Sequence, residues 1–164
     1  MPELPEVETV RRTLAPAVGG KISSLWTSGK GLHMARKPPA GKLKKLIGGT
    51  ITAVRRHGKY LLVDTDLGTS LLVHFGMTGR LRIHHKGDPR ATHTHVVLGL
   101  GDRELRFVDA RRFGQVDVVA HGQERAHAGL GLLGPDALDT GIDVAAFLAA
   151  AQRKRTTLKA FVLD

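Results

Sequence analysis

From Thr50 to Ala120 the sequence breaks into apolar runs of six or seven residues separated by short turns, and this restricts the fold more than any other feature. ITAVRR (51–56), KYLLVDT (59–65), SLLVHF (70–75), RLRIHH (80–85), THVVLGL (94–100), ELRFVD (104–109) and GQVDVVA (114–120) are rich in β-branched and large apolar residues. Such residues suit a pleated, half-buried backbone. Asp66-Leu67-Gly68 and Gly101-Asp102 are turn sequences, and the second closes a hairpin. With one more strand near Ile22–Trp26, six to eight short strands with close turns predict an antiparallel sandwich or barrel. The expected class is mainly β with flanking helices, in a sandwich of about eight strands.

The flanks read as helix. Between Pro5 and Val18, Val7, Val10, Leu14 and Val18 fall at helical spacing. Pro5 suits the first turn, and Glu6 and Glu8 favour the positive end of the helix dipole, so Glu8 reads as helix electrostatics. KISSLWTSGKGLHM predicts the strand near Ile22–Trp26 and then a loop, and GKLKKLIGGT a short basic segment ending in a Gly-Gly turn. Asp143 is placed to cap the alanine-rich VAAFLAAAQRK, and Thr156 or Thr157 to cap LKAFVLD. Leu158, Phe161 and Val162 call for a partner surface, and no Gly or Asn C-cap follows them, so the sequence reads as cut within an element.

Composition narrows the function. A chain of 164 residues with 41% apolar content is long and apolar enough for a sizeable core. No apolar run approaches the ~18 residues of a membrane span, and no signal peptide precedes the first helix. The absence of cysteine suits a reducing cytoplasm and leaves no thiolate metal site. A formal charge of +10 favours a polyanionic partner over a merely basic surface. Aromatic content of 4% argues against a stacking platform for single strands.

The opening MPELPEVETVRR carries the first candidate chemistry. Once Met1 is removed, Pro2 is a terminal secondary amine. Terminal amines titrate near about 7.7–8.0, so much of the group is neutral at physiological pH. A neutral secondary amine can attack a sugar C1′ and form an iminium, and Glu3 stands beside it to move a proton. The plainer reading is a proline near a helix start. In HGKYLLV, Lys59 follows a glycine turn at a strand start, as a solvated edge charge or a phosphate ligand. Gly76 and Gly79 bracket Met77 in HFGMTGR, and DARRFG puts Arg111, Arg112 and Phe113 after a strand. Exposed apolar tips accompanied by arginine are how proteins unstack duplex DNA and fill the void left by an extruded base. His93 and His95 in THTHVV share a strand face. With no third ligand evident, polar or phosphate contacts are expected and no metal site.

MPELPEVETVRR, RRHGKYLLV, HFGMTGRLR and DARRFG, in this order and spacing, closely resemble the N-terminal half of bacterial formamidopyrimidine-DNA glycosylase. LGLLGPDAL and RKRTTLKAFVLD continue the likeness to the end of the chain, and Leu4 with Val7-Glu8-Thr9 separates it from the MPEGPE opening of endonuclease VIII. The resemblance implies a bifunctional base-excision repair enzyme. It would remove oxidised purines such as formamidopyrimidine and 8-oxoguanine, then cleave the abasic strand by β,δ-elimination through a proline iminium. It implies Pro2 as nucleophile, Glu3 as the acid that helps open the sugar ring, and Glu6 supporting the site. It implies Lys59 as a catalytic residue binding phosphate near the lesion. Met77, Arg111 and Phe113 would fill the void, and His93, Arg111 and Arg112 would bind DNA. The implied partner is damaged double-stranded DNA in the bacterial cytoplasm, with no membrane. In the family a helix–two-turn–helix unit and a cysteine zinc finger follow. This chain has no cysteine, so it holds no such zinc and no cofactor is expected. The expected division is residues 1–140 as the catalytic domain and 141–164 as the start of a helical linker to an absent C-terminal half. A non-catalytic remnant that binds damaged DNA, or a basic β-domain of an RNA-bound assembly, would need neither Pro2 nor Glu3.

Overall fold

The computed structural model describes residues 2–32, 38–138 and 141–163, and the side chains of all of these but Leu163. The loop expected over His33 and Met34 lies outside the described residues, as does Thr140 at the expected 140/141 boundary. Two compact units divide between Leu132 and Leu133.

The first unit is an antiparallel β-sandwich. Its strands are β1 (Ser24–Thr27), β2 (Ile51–His57), β3 (Tyr60–Thr65), β4 (Thr69–His74), β5 (Arg80–His85), β6 (Thr94–Leu100), β7 (Arg103–Val108) and β8 (Gln115–Ala120). They form two four-stranded sheets, ordered β1-β6-β7-β5 and β2-β3-β4-β8. The inward side chains meet between the sheets: Leu71, Val73 and Val116 from one, Leu81, Leu98 and Phe107 from the other, all buried. This two-sheet core is what the alternating runs require. Burial of these side chains supplies the main stabilisation, roughly 1.5–3 kcal/mol for each large one.

β6 departs from simple alternation, being buried along its whole length. It is central in its sheet, and its outer face is also covered. The cause is Arg106 on β7, only 2% exposed. Its guanidinium donates to Glu104 Oε2 (2.8 Å) and to the carbonyls of Asp88 (2.9 Å) and Pro89 (3.0 Å). A buried cation is tolerable only when its donors are satisfied in this way. The contacts draw the 86–91 segment over the sheet, where Arg90 lies over the Trp26 ring.

Helix α1 (Leu4–Thr13) packs Val7 against the sandwich. It stops five residues short of the Val18 that periodicity suggests. Pro16 has no N–H to donate to the carbonyl four residues back, and a 3-10 turn over Ala15–Ala17 replaces the last helical turn. The basic segment forms the short helix α2 (Ala40–Leu43) and a 3-10 turn. Another short helix, α3 (Ala128–Gly131), ends the unit, with the His127 ring accepting from the Gly129 amide.

The second unit holds α4 (Val144–Arg153) and α5 (Leu158–Leu163). Asp143 caps α4 through the Ala146 amide (2.9 Å), and the Thr157 hydroxyl accepts from the Ala160 amide (3.3 Å). Phe147 and Phe161 pack ring against ring, while Leu158 and Val162 are exposed. No helix among the described residues is long and apolar enough to cross a membrane.

Candidate active site and nucleic-acid interface

The start of α1 and the β2–β3 turn bring the first group of residues together. Glu3 is the N-cap of α1, and its backbone N–H donates to Glu6 Oε2 at 3.0 Å. A helix N-terminus leaves such donors unpaired, so Glu6 serves the chain's own start before any ligand. His57 and Tyr60 pair across the β2–β3 hairpin, leaving Gly58 and Lys59 as its turn. Gly58 takes φ +55, a backbone open to glycine and strained for most residues. The turn aims Lys59 at the helix start, where its ammonium meets Glu3 Oε2 at 2.5 Å. Both side chains remain substantially exposed, so the pair is screened and contributes little to stability. Its interest is chemical, since it sets a carboxylate and an ammonium next to Pro2.

Glu8, one turn further on, does more than serve the helix dipole. Its carboxylate accepts from Arg11 Nη2 (2.8 Å), Arg12 Nε (2.9 Å) and, across the fold, Arg56 Nε (3.2 Å). Arg56 is 6% exposed by side chain and donates on to the Gly58 carbonyl at 3.0 Å. Glu8 and Arg56 therefore tie α1 to the turn that carries Lys59. The Arg11 hydrogen bond, followed by that of Arg12, holds the Glu8 carboxyl down at about 2. A carboxylate depressed in the folded state contributes stability that is complete above its ordinary pKa, near 4.5, and is lost as pH falls towards 2. Glu8→Gln should lower stability by about 2 kcal/mol at neutral pH, because the nearly buried Arg56 loses its counter-charge. Melting curves between pH 5 and 2 should be flatter for the variant than for the wild type. Parallel curves would mean that Glu8 does not couple α1 to the turn.

The second group is a pair of tips. Between β4 and β5 the chain turns through Gly76 (φ +61), and the Gly79 amide donates to the Phe75 carbonyl at 2.9 Å. Phe75 is buried beneath the turn and Met77 is 41% exposed above it. Between β7 and β8, Phe113 is 45% exposed, with the Arg111 guanidinium 4.9 Å from its ring centroid. Arg112 takes φ +58, the only positive φ of a non-glycine residue among the described residues. A conformation of this kind is a strain that persists only where surrounding contacts enforce it. A side chain on Gly76 would come within 2.5 Å of the Phe113 carbonyl carbon, so the two loops approach backbone to backbone.

The two histidines part company. His95 is buried, with Nε2 3.0 Å from the Asp109 carbonyl and Nδ1 2.9 Å from the Ser28 hydroxyl. Burial, and more weakly the nearby Arg112 and His93 charges, push its pKa down. His93 lies just before β6, exposed, with its carbonyl accepting from the Asp109 amide at 2.9 Å. The shared strand face expected for the two is therefore not formed. His95 is a structural residue, and of the two histidines only His93 faces solvent. Among the described residues no three His, Asp or Glu side chains gather into a metal cluster.

A groove of about 550 Å³ joins the two groups, lined by Pro2, Glu6, Met77, Thr9, Arg80 and Arg82. Arg80 and Arg82 project from edge strand β5 with no carboxylate in ion-pair reach among the described residues, unlike Arg11, Arg55 and Arg106. The sequence reading missed Arg56, Thr78 and Asp109. Their partners are 31 to 48 residues away, and although RRHGKYLLV, HFGMTGR and DARRFG each contain one of them, nothing within those motifs indicates the partner.

Fold and site are those of an N-terminal β-sandwich domain built around the chain's own amino end. The family model for the formamidopyrimidine-DNA glycosylase N-terminal domain matches residues 1–116, and the chain belongs to that family. Formamidopyrimidine-DNA glycosylases of Jannaschia sp. and Methylococcus capsulatus are 41% and 45% identical to it over its whole length. The chain spans about 61% and 60% of those relatives. Among solved structures, the Lactococcus lactis enzyme bound to abasic-site DNA superposes with a TM-score of 0.84 at 29% identity, over 99% of this chain and 60% of the other. Its complex with formamidopyrimidine-containing DNA gives 0.83 at 30%, over 98% and 60%.

Proposed function

We propose that this chain carries the catalytic end of a DNA glycosylase with abasic-site lyase activity, acting on oxidised purines in duplex DNA in the bacterial cytoplasm. The observation that carries the reading is Pro2 in the lining of a groove that Met77 also lines, with Glu3, the next residue in the chain, paired with Lys59. The Pro2 nitrogen attacks C1′ and passes its proton to the Glu3 carboxylate as the bond from C1′ to the base breaks, and the base leaves with a proton from solvent. Cleavage of C1′–O4′ then gives the iminium, and Glu3 delivers the proton that O4′ requires. Loss of a C2′ proton expels the 3′ phosphate, loss of a C4′ proton expels the 5′ phosphate, and water releases Pro2. Lys59 holds the Glu3 carboxylate in place and offers its ammonium to a phosphate beside the lesion. Met77, Arg111 and Phe113 fill the vacated stack, with His93 and Arg112 on the backbone. Residues 1–140 form the catalytic domain in this reading, and 141–164 begin the connection to further DNA contacts. No metal or cofactor takes part in the chemistry of this stretch.

The test is binding and cleavage by the 164-residue chain on abasic, oxidised-purine and undamaged duplexes across a salt series. Each phosphate contact contributes a slope of about −0.9 in log affinity against log salt. With the contacts of this stretch alone, binding should be weak and steeply salt-dependent. Cleavage should favour abasic sites over intact oxidised purines, since an absent base lowers the cost of extrusion. The exposed Leu158 and Val162 should also promote self-association, visible by sedimentation. Binding to damaged duplex with no strand cleavage would leave the chain a damaged-DNA binder. Binding should discriminate poorly among the three duplexes, and tight, lesion-selective excision by a monomer would contradict this account of what the stretch supplies.

A further inference from the structure

Asp109 has no exposed surface, yet its carboxylate is fully used. Oδ1 accepts from the Thr78 hydroxyl at 2.5 Å and Oδ2 from the Gly114 amide at 2.7 Å. The Thr78 oxygen in turn accepts from the Arg111 amide at 3.1 Å. Thr78 follows Met77 in one loop, while Arg111 and Gly114 flank the Arg112–Phe113 tip of the other. The Asp109 backbone adds two ties, its amide to the His93 carbonyl and its carbonyl to His95. Glycine is required where the loops touch. A Cβ on Gly114 would meet Phe107 Cζ at 2.6 Å and Asp109 Oδ2 at 2.9 Å.

We infer that Thr78 and Asp109 are positioning residues. They form a latch that joins the Met77 loop and the Arg111–Phe113 loop into one preorganised wedge before DNA is met. The inference rests on the proposed DNA-processing role and deepens it. Two apolar tips on separate flexible loops would each lose conformational freedom on entering a base stack, and a latch removes that cost from binding. A buried carboxylate with a donor on each oxygen holds geometry more sharply than apolar packing does, because any shift leaves a buried acceptor unpaired. The same contacts hold the loop in which Arg112, exposed, takes its αL backbone.

The experiment compares wild type with Thr78→Val, Thr78→Ser and Asp109→Asn. Hydrogen exchange at the Arg111 and Gly114 amides of the free protein reports the latch directly. Fluorescence of 2-aminopurine placed opposite an abasic site in a duplex reports unstacking by the wedge. Thr78→Val and Asp109→Asn should speed exchange at both amides and weaken the affinity for the unstacked complex about tenfold, the scale of one lost buried hydrogen bond. Thr78→Ser keeps the hydroxyl and should restore both readouts, which a purely packing role for Thr78 would not allow. Unchanged exchange in the two disruptive variants overturns the latch. Faster exchange with an undiminished 2-aminopurine response overturns its role in the wedge, and so does a wild type that leaves 2-aminopurine stacked. Borohydride crosslinking on the same duplex is scored separately. Its failure in the wild type would count against Pro2 as nucleophile, while the exchange and fluorescence readouts still decide the latch.

Discussion

A form of the chain that retains Met1 should give no borohydride-stable crosslink to an abasic duplex. In the proposed mechanism the attacking group is the secondary amine of Pro2, which exists only once Met1 is gone. A terminal amine is suited to the task because its reference pKa, about 7.7–8.0, leaves much of it neutral at physiological pH, whereas an ordinary lysine at about 10.4 is almost wholly protonated. With Met1 in place the proline nitrogen is an amide and has no nucleophilic lone pair. The loss should therefore be complete down to background. Pro2→Gly keeps a terminal amine but makes it primary, and trapping should change or disappear. The Glu3–Lys59 pair and the Glu3–Glu6 cap of α1 need no proline amine, so DNA binding should persist in both forms. Wild-type crosslinking by the Met1-bearing chain would contradict this role of Pro2.

Glu3→Gln should reduce base excision by 10²–10⁴-fold, the usual contribution of a positioned proton-transfer group, with a much smaller effect on affinity. The substitution keeps the shape of the N-cap and leaves the backbone bond from residue 3 to Glu6 intact. It removes the group proposed to protonate O4′, and it takes the carboxylate away from Lys59. The measurement is single-turnover excision from an oxidised-purine duplex at saturating protein. Turnover within a few-fold of wild type would reduce Glu3 to a charge at a helix start.

Much of the framework could be read from the residues. The runs RLRIHH and THVVLGL became β5 and β6 residue for residue, because short apolar runs bounded by turns, alternating in the first and nearly continuous in the second, suit strands. Asp143 and Thr157 cap helices as their side chains suggest, capping being decided within a few residues. Long-range pairing was not legible. Nothing near Arg106 announces that it draws the 86–91 segment over β6, since its carbonyl partners belong to a loop without periodicity. Glu8 looked like one more acid in a first turn because Arg56 lies 48 residues away. The exposed tips at Met77 and Phe113 followed from glycines and placement, but the buried Asp109 that joins them carries no local signature. The pairing of Lys59 with Glu3 was likewise hidden, and it brings two residues assigned separate roles into one contact.

The most direct measurement is the location of the covalent bond. The 164-residue chain, with Met1 removed, is incubated with an abasic duplex and borohydride, digested, and mapped by mass spectrometry. The reduced sugar remnant should sit on the peptide that begins Pro2-Glu3-Leu4, attached to the proline nitrogen. An adduct on Lys59 or any other lysine, or cleavage of the strand with no adduct at the N-terminus, would contradict the account.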